Sequence, residues 1–169
     1  MKKRLSKIEY YLNIAKEVAQ RSTCLRAKIG AVILKDDAII ATGYIGAPRK
    51  TKDCLERNLC LRDKLNIPHG ERYELCRSVH AEMNAIINSA RAGVSLLGGD
   101  MYIWGENKQG ELINAFPCFI CKKMIINAGL NKAICSKKDG TYKIFEISQW
   151  AKEWRENDIS DDQFKYGDN

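Results

Sequence analysis

An α/β sandwich, one central mixed five-stranded sheet with helices on both faces, is the fold class this sequence predicts. Three observations carry it. Apolar, β-rich runs of strand length recur at 29–34, 38–44, 100–104, 131–135 and 142–147. Segments with apolar residues at helical spacing separate most of them. The chain has 169 residues, 45% apolar and 29% charged, which suits a single domain, 1–169, around a real core.

The elements follow in order. Residues 6–21 read as an amphipathic helix, with Ile8, Tyr11, Leu12, Ala15, Val18 and Ala19 on one side. Ser6 and Glu9 have the spacing of a capping box. The runs 29–34 and 38–44, joined by Lys35-Asp36-Asp37, read as an antiparallel hairpin. A long polar segment, 49–77, then needs something to organise it. Residues 80–91 read as a helix capped by Ser78 and ended by Gly93, and 118–128 as a helix between Pro117 and Gly129. The stretch 105–115 is a polar loop or small hairpin, a lid over the pocket or an inert insertion. Asp139-Gly140 marks a turn, and Ser148 caps a last helix through Trp154. An acidic tail frays from about residue 156. Later strand–helix–strand units are expected to be parallel with right-handed crossovers.

No run approaches the ~20 apolar residues of a membrane span. The basic start Met1-Lys2-Lys3-Arg4 has no apolar core behind it, so the cytoplasm is the expected location. A net charge of +7 suits an anionic partner such as a nucleotide, a polynucleotide or a phosphate surface, or is simply a solvated basic surface. Seven cysteines in such a chain suggest metal ligands or a reactive thiol before disulfides.

The chemistry concentrates in His80-Ala81-Glu82 and Pro117-Cys118-Phe119-Ile120-Cys121. Cysteines three apart at a helix start place both sulfurs on one side of its first turn. That terminus favours thiolate over thiol. With His80 opening another helix, two helix starts converge on one metal. Three protein ligands leave a fourth position of zinc for water, whereas structural zinc sites close with four. Glu82, two residues from a ligand, is placed to carry protons. This histidine–glutamate plus Pro-Cys-x-x-Cys pattern is the zinc deaminase signature.

On these residues the sequence resembles the cytidine and deoxycytidylate deaminase family. Gly30-Ala31-Val32-Ile33, Gly43-Tyr44-x-Gly46-x-Pro48, His80-Ala81-Glu82-x-Asn84-Ala85-Ile86 and Pro117-Cys118-x-x-Cys121 are most similar to deoxycytidylate (dCMP) deaminases. The resemblance implies a cytidine-deaminase-like three-layer sandwich. It also implies hydrolytic deamination of dCMP to dUMP and ammonia by a zinc-activated hydroxide, supplying dUMP for thymidylate synthesis. His80, Cys118 and Cys121 would hold the zinc and Glu82 would shuttle protons. A homo-oligomer, possibly a hexamer, and dCTP and dTTP as effectors are further implications. Ile45 stands where many relatives carry asparagine, so a polar contact to nucleotide is either missing or supplied from elsewhere.

Cys24, Cys54, Cys60 and Cys76 are candidate ligands of a second, structural zinc, with His69 as an alternative; otherwise they are four unrelated thiols. Some deoxycytidylate deaminases carry an additional zinc in this region. Cys135 reads as core. Arg26, Lys28 and Arg49 are candidates for gripping a 5′-phosphate, and Tyr44 and Asn84 for other substrate contacts. Gly43, Gly46 and Arg91 are candidates for regulation or subunit contact. One rival reading is a tRNA adenosine or other polynucleotide deaminase, which needs a groove open to a flipped base. The long cysteine-bearing segment and Asn84-Ala85-Ile86 disfavour nucleic acid as the partner. Another rival is a non-catalytic zinc protein serving in DNA uptake or as an interaction module.

Overall fold

A computed structural model of the chain describes residues 4–68 and 70–159. Its sheet has five strands in the order β2-β1-β3-β4-β5. They are β1 (Ala27–Lys35), β2 (Ala38–Tyr44), β3 (Asp100–Asn107), β4 (Lys132–Ser136) and β5 (Tyr142–Glu146). The helices are α1 (Lys7–Ala19), α2 (Cys54–Arg57), α3 (Leu61–Lys64), α4 (Ala81–Ala92), α5 (Phe119–Asn127) and α6 (Ile147–Glu156).

Strand alternation builds two cores. Ala31, Ile33, Met101, Ile103, Ala133 and Cys135 face the layer that carries α4, α5 and α6. Their neighbours Val32, Leu34, Tyr102, Trp104 and Ile134 face α1, against Tyr11, Leu12, Ala15 and Ala19. A period of two with both sets apolar produces a sheet covered on each face. The expected mixed five-stranded sandwich is therefore observed.

The hairpin turns tightly at Asp36 and Asp37, with φ of 51° and 60°. Two left-handed residues match the twist of the flanking strands. The pairing is antiparallel for β1 with β2, β1 with β3, and β4 with β5. β3 and β4, joined through α5, are parallel. Ser6 caps α1 in a full capping box with Glu9.

Two caps differ from the sequence reading. His80 itself, not Ser78, is the N-cap of α4, with extended backbone (φ −69°, ψ 157°) and no side-chain cap bond. A serine two residues earlier is too far out to reach the first free amides. Likewise Glu146 precedes α6, so Ser148 lies inside its first turn. β3 also runs three residues beyond the expected Trp104, and Glu106 bridges to Leu112.

Glycines set how closely the helices approach. A Cβ on Gly30 would stand 2.2 Å from the carbonyl oxygen of Ala15 in α1. One on Gly43 would stand 2.3 Å from both the Ala81 oxygen and the Ala85 nitrogen of α4. Side chains of α4 then fasten it to the edge strand. Asn84 Nδ2 donates to the Tyr44 carbonyl at 2.8 Å, and Asn88 Nδ2 to that of Thr42 at 2.7 Å. These bonds occupy carbonyls that β2, as an edge, would otherwise expose.

Candidate active site

α4 follows β2 and α5 follows β3, and these two strands run the same way on either side of β1. Both helices therefore begin at the same edge of the sheet, where α/β folds gather ligands at the carboxyl ends of strands. His80 caps the first and Cys118 the second. Cys121 lies one turn into α5 and is fully buried.

His80 Nδ1 lies 3.4 Å from Cys118 Sγ and 3.4 Å from Cys121 Sγ. Among the described residues, these three form the one group of potential metal donors within 4.8 Å of one another. Zinc bonds of ~2.3 Å to sulfur and ~2.0–2.1 Å to nitrogen at a tetrahedral angle separate the two atoms by about 3.5 Å. The donor set thus fits zinc in identity and spacing.

The electrostatics suit the same reading. The neighbouring Cys121 thiol and the His80 ring, with the Cys121 backbone N–H, outweigh burial and pull Cys118 down to about 4. It is a thiolate at neutral pH. Burial and the Cys118 sulfur push Cys121 well up. For His80, burial opposes the charge, but the Cys118 sulfur and the Glu82 carboxyl raise its pKa overall.

Glu82 is 5% exposed and shares a hydrogen bond with the Cys121 thiol. Burial pushes its pKa up, only partly offset by His80. A carboxyl raised toward neutrality beside a metal set can both take and return a proton.

The site opens into a cavity of about 350 Å³. Ile29, Ile45 and Phe116 give it apolar walls; Asn107 and Asn114 come from the 105–115 stretch. The stretch therefore contributes to the wall. Segment 49–77 contributes Cys54, Cys60, Leu61, Arg62, Tyr73, Cys76 and Arg77. What organises this segment is α2, capped by Asp53 and Glu56, then α3 and a 3-10 turn at Tyr73–Leu75.

The other expected site residues fall into two groups. Arg26 lines the cavity, while Lys28, Tyr44, Arg49 and Asn84 do not. Lys28 pairs with Glu106 at 3.2 Å, Arg49 bonds Asn88, and the Asn84 amide is engaged with backbone. Gly43 is a packing position under α4, Gly46 pairs with Val79, and Arg91 is exposed in the last turn of α4. Cys24, Cys54, Cys60 and Cys76 all line the one cavity, yet they form no close donor group. His69 lies outside the described residues. Cys135 is core, as expected. Arg62, Tyr73 and Arg77 are site residues that the sequence reading missed.

A three-layer sandwich with a His/Cys/Cys group that could hold a metal at two helix starts, and a buried glutamate beside it, places the protein among α/β folds of the cytidine-deaminase-like class. Residues 5–137 match the model of the cytidine and deoxycytidylate deaminase zinc-binding region. The chain belongs to that family. It is 34% identical to the deoxycytidylate deaminase of Mycobacterium phage D29 over 77% of this chain and 94% of that one. It is 32% identical to ComE operon protein 2 of Bacillus subtilis, over 75% of this chain but 57% of that protein's length. Among solved structures it is similar to the dCMP deaminase of cyanophage S-TIM5 in complex with dCMP and dUMP. That match has a TM-score of 0.54 and 26% identity, and covers 77% of this chain and 82% of the other.

Proposed function

We propose that this protein is a zinc-dependent dCMP deaminase, converting dCMP and water to dUMP and ammonia. The observation that carries the reading is the buried Glu82 carboxyl, bonded to Cys121 within a His80–Cys118–Cys121 donor set at the floor of a nucleotide-sized cavity. The S-TIM5 relative, bound to dCMP and dUMP, supports that substrate.

His80, Cys118 and Cys121 hold the metal. When bound, zinc supplies a water acidified to near-neutral pKa as the nucleophile. Glu82 would accept the first proton of the attacking water and pass it to the ring nitrogen beside the amino-bearing carbon. It would then carry the remaining proton of the added hydroxyl to the leaving amine, so that both water protons end on nitrogen and the oxygen stays as the carbonyl of dUMP. Burial raises its pKa, which favours holding the proton between the two transfers. Ile29, Ile45 and Phe116 exclude water from the faces of the pyrimidine.

The reading includes a second, structural zinc held by Cys24, Cys54, Cys60 and Cys76. Its support is that the four thiols line one cavity and that Cys54 senses the charge of the other three. It also includes a single domain, a homo-oligomer, dCTP and dTTP effectors, a cytoplasmic location and supply of dUMP to thymidylate synthesis. Among the described residues, no helix is long and apolar enough to cross a membrane.

An ammonia-release screen over free bases, nucleosides, mono- and triphosphates and single-stranded RNA tests the proposal. Selective turnover of dCMP supports it. Adenosine deamination in RNA, with steep salt dependence, would replace it by the polynucleotide reading. One further alternative, a non-catalytic zinc protein, predicts no ammonia from any substrate.

A further inference from the structure

We propose that Arg62, stacked on Tyr73, is the residue that selects a 5′-phosphorylated substrate, with Arg26 as its partner on the same wall of the cavity. The inference rests on the dCMP reading above and assigns the specificity of that same site to a segment in which no such residue was expected.

Arg62 is 4% exposed and lines the cavity. Its Nη2 donates to the Pro68 carbonyl at 2.6 Å, which fixes one side of the guanidinium. Its Nε is buried without a hydrogen-bond partner, and no carboxylate pairs with it among the described residues. A buried guanidinium without a counter-charge costs stability that an anionic ligand would offset.

A pattern of orphan donors points the same way. Among the described residues, five buried side-chain atoms lack partners: Thr23 Oγ1, Arg26 Nη1, Arg62 Nε, Ser78 Oγ and Trp154 Nε1. Of these, the two arginines line the cavity. Two unmatched guanidinium donors on one cavity are what a phosphate, with three acceptor oxygens, would satisfy.

The reach is suitable. The Arg62 guanidinium stands 4.6 Å over the Tyr73 ring, which meets the His80 ring edge-on at 5.0 Å. The guanidinium is therefore no farther from the metal ligand than these two contacts laid end to end. That is the scale of the span from the base to the 5′-phosphate of a nucleotide. Arg26 Nε is tethered to Asp63 at 3.5 Å, next in sequence to Arg62, which brings the two cations to one wall.

The test compares the zinc-loaded wild type with Arg62→Gln, Arg62→Lys, Tyr73→Phe and Tyr73→Leu. Three readouts are taken: kcat and KM for dCMP and deoxycytidine, calorimetric binding of dUMP and deoxyuridine, and zinc content. Arg62→Gln is expected to lower kcat/KM for dCMP about 10- to 100-fold, through KM. Deoxycytidine should change less than about threefold, and the advantage of dUMP over deoxyuridine should vanish. Arg62→Lys should fall between, because it keeps charge and loses the fork. Tyr73→Phe, which keeps the ring, should resemble wild type, and Tyr73→Leu should resemble Arg62→Gln. An equal drop for both substrates, an unchanged preference for phosphate, or loss of zinc with that preference intact would overturn the assignment to Arg62. A wild type that binds dUMP no better than deoxyuridine, and releases no ammonia from dCMP, would instead remove the underlying reading and the inference with it.

Discussion

His80 Nδ1 and Cys118 Sγ meet at 3.4 Å although 38 residues separate them in the chain. Each is the cap of its own helix, and the two helices start at one edge of the sheet. A single distance therefore reports whether α4, α5 and the strands before them are assembled correctly. From this pairing follow expectations about metal, protons and packing.

Zinc uptake should release protons. Cys118 is already a thiolate, its pKa pulled down to about 4, whereas burial holds Cys121 protonated in the metal-free protein and the Cys118 sulfur raises His80. Metal needs both of the latter deprotonated. Apparent zinc affinity, measured by competition with a chelator, should thus rise steadily from about pH 6 to pH 8. An affinity independent of pH across that range would argue against this ligand set.

Glu82 should weaken the metal-free fold. Burial lifts its folded-state pKa above the ordinary 4.5. Between those values the folded chain holds a proton that the unfolded chain has lost, so stability falls as pH rises through that window. Glu82→Gln removes the effect. In chelator-treated protein, urea unfolding should find the variant more stable than wild type at neutral pH, with the difference gained over wild type shrinking to a constant below about 4.5. A variant less stable than wild type at neutral pH would contradict the burial argument.

Gly43→Ala should be costly, because the added carbon meets backbone of α4 that cannot yield locally. A loss of about 1–3 kcal/mol or more is expected in urea unfolding. Gly46→Ala should cost less, since its nearest neighbour is the Thr23 hydroxyl at 3.1 Å, a side-chain atom. The reverse order would mean that α4 is not seated on β2 as described.

Much of this architecture was legible in the sequence because it rests on local signals. The β-rich apolar runs 29–34 and 100–104 mark strands of a covered sheet, and His-x-Glu with Pro-Cys-x-x-Cys marks the donor set. Caps were less legible. Ser78 looks like an N-cap by residue type, but the chain must stay extended through His80 for its ring to face the cysteines. Arg62 was not legible at all. It sits on a four-residue helix, where no periodicity marks a buried side, and its importance comes from Tyr73 and Pro68 folding around it. The partners of Lys28 and Arg49 were not legible for a related reason. Nearness to the hairpin in sequence did not reveal that Glu106 and Asn88 already engage them.

The proposed second zinc makes a stoichiometric claim. Elemental analysis of fully active protein should give two zinc ions per chain, falling to one in Cys54→Ser. One zinc in the fully active wild type would remove the structural site while leaving the catalytic one intact.

The most direct test of the central claim is dCMP turnover by Glu82→Gln with zinc measured on the same sample. Glu82 as proton carrier predicts wild-type zinc content, with ammonia release lowered by at least about 10²–10⁴-fold. Near-normal ammonia release from zinc-loaded Glu82→Gln would contradict it.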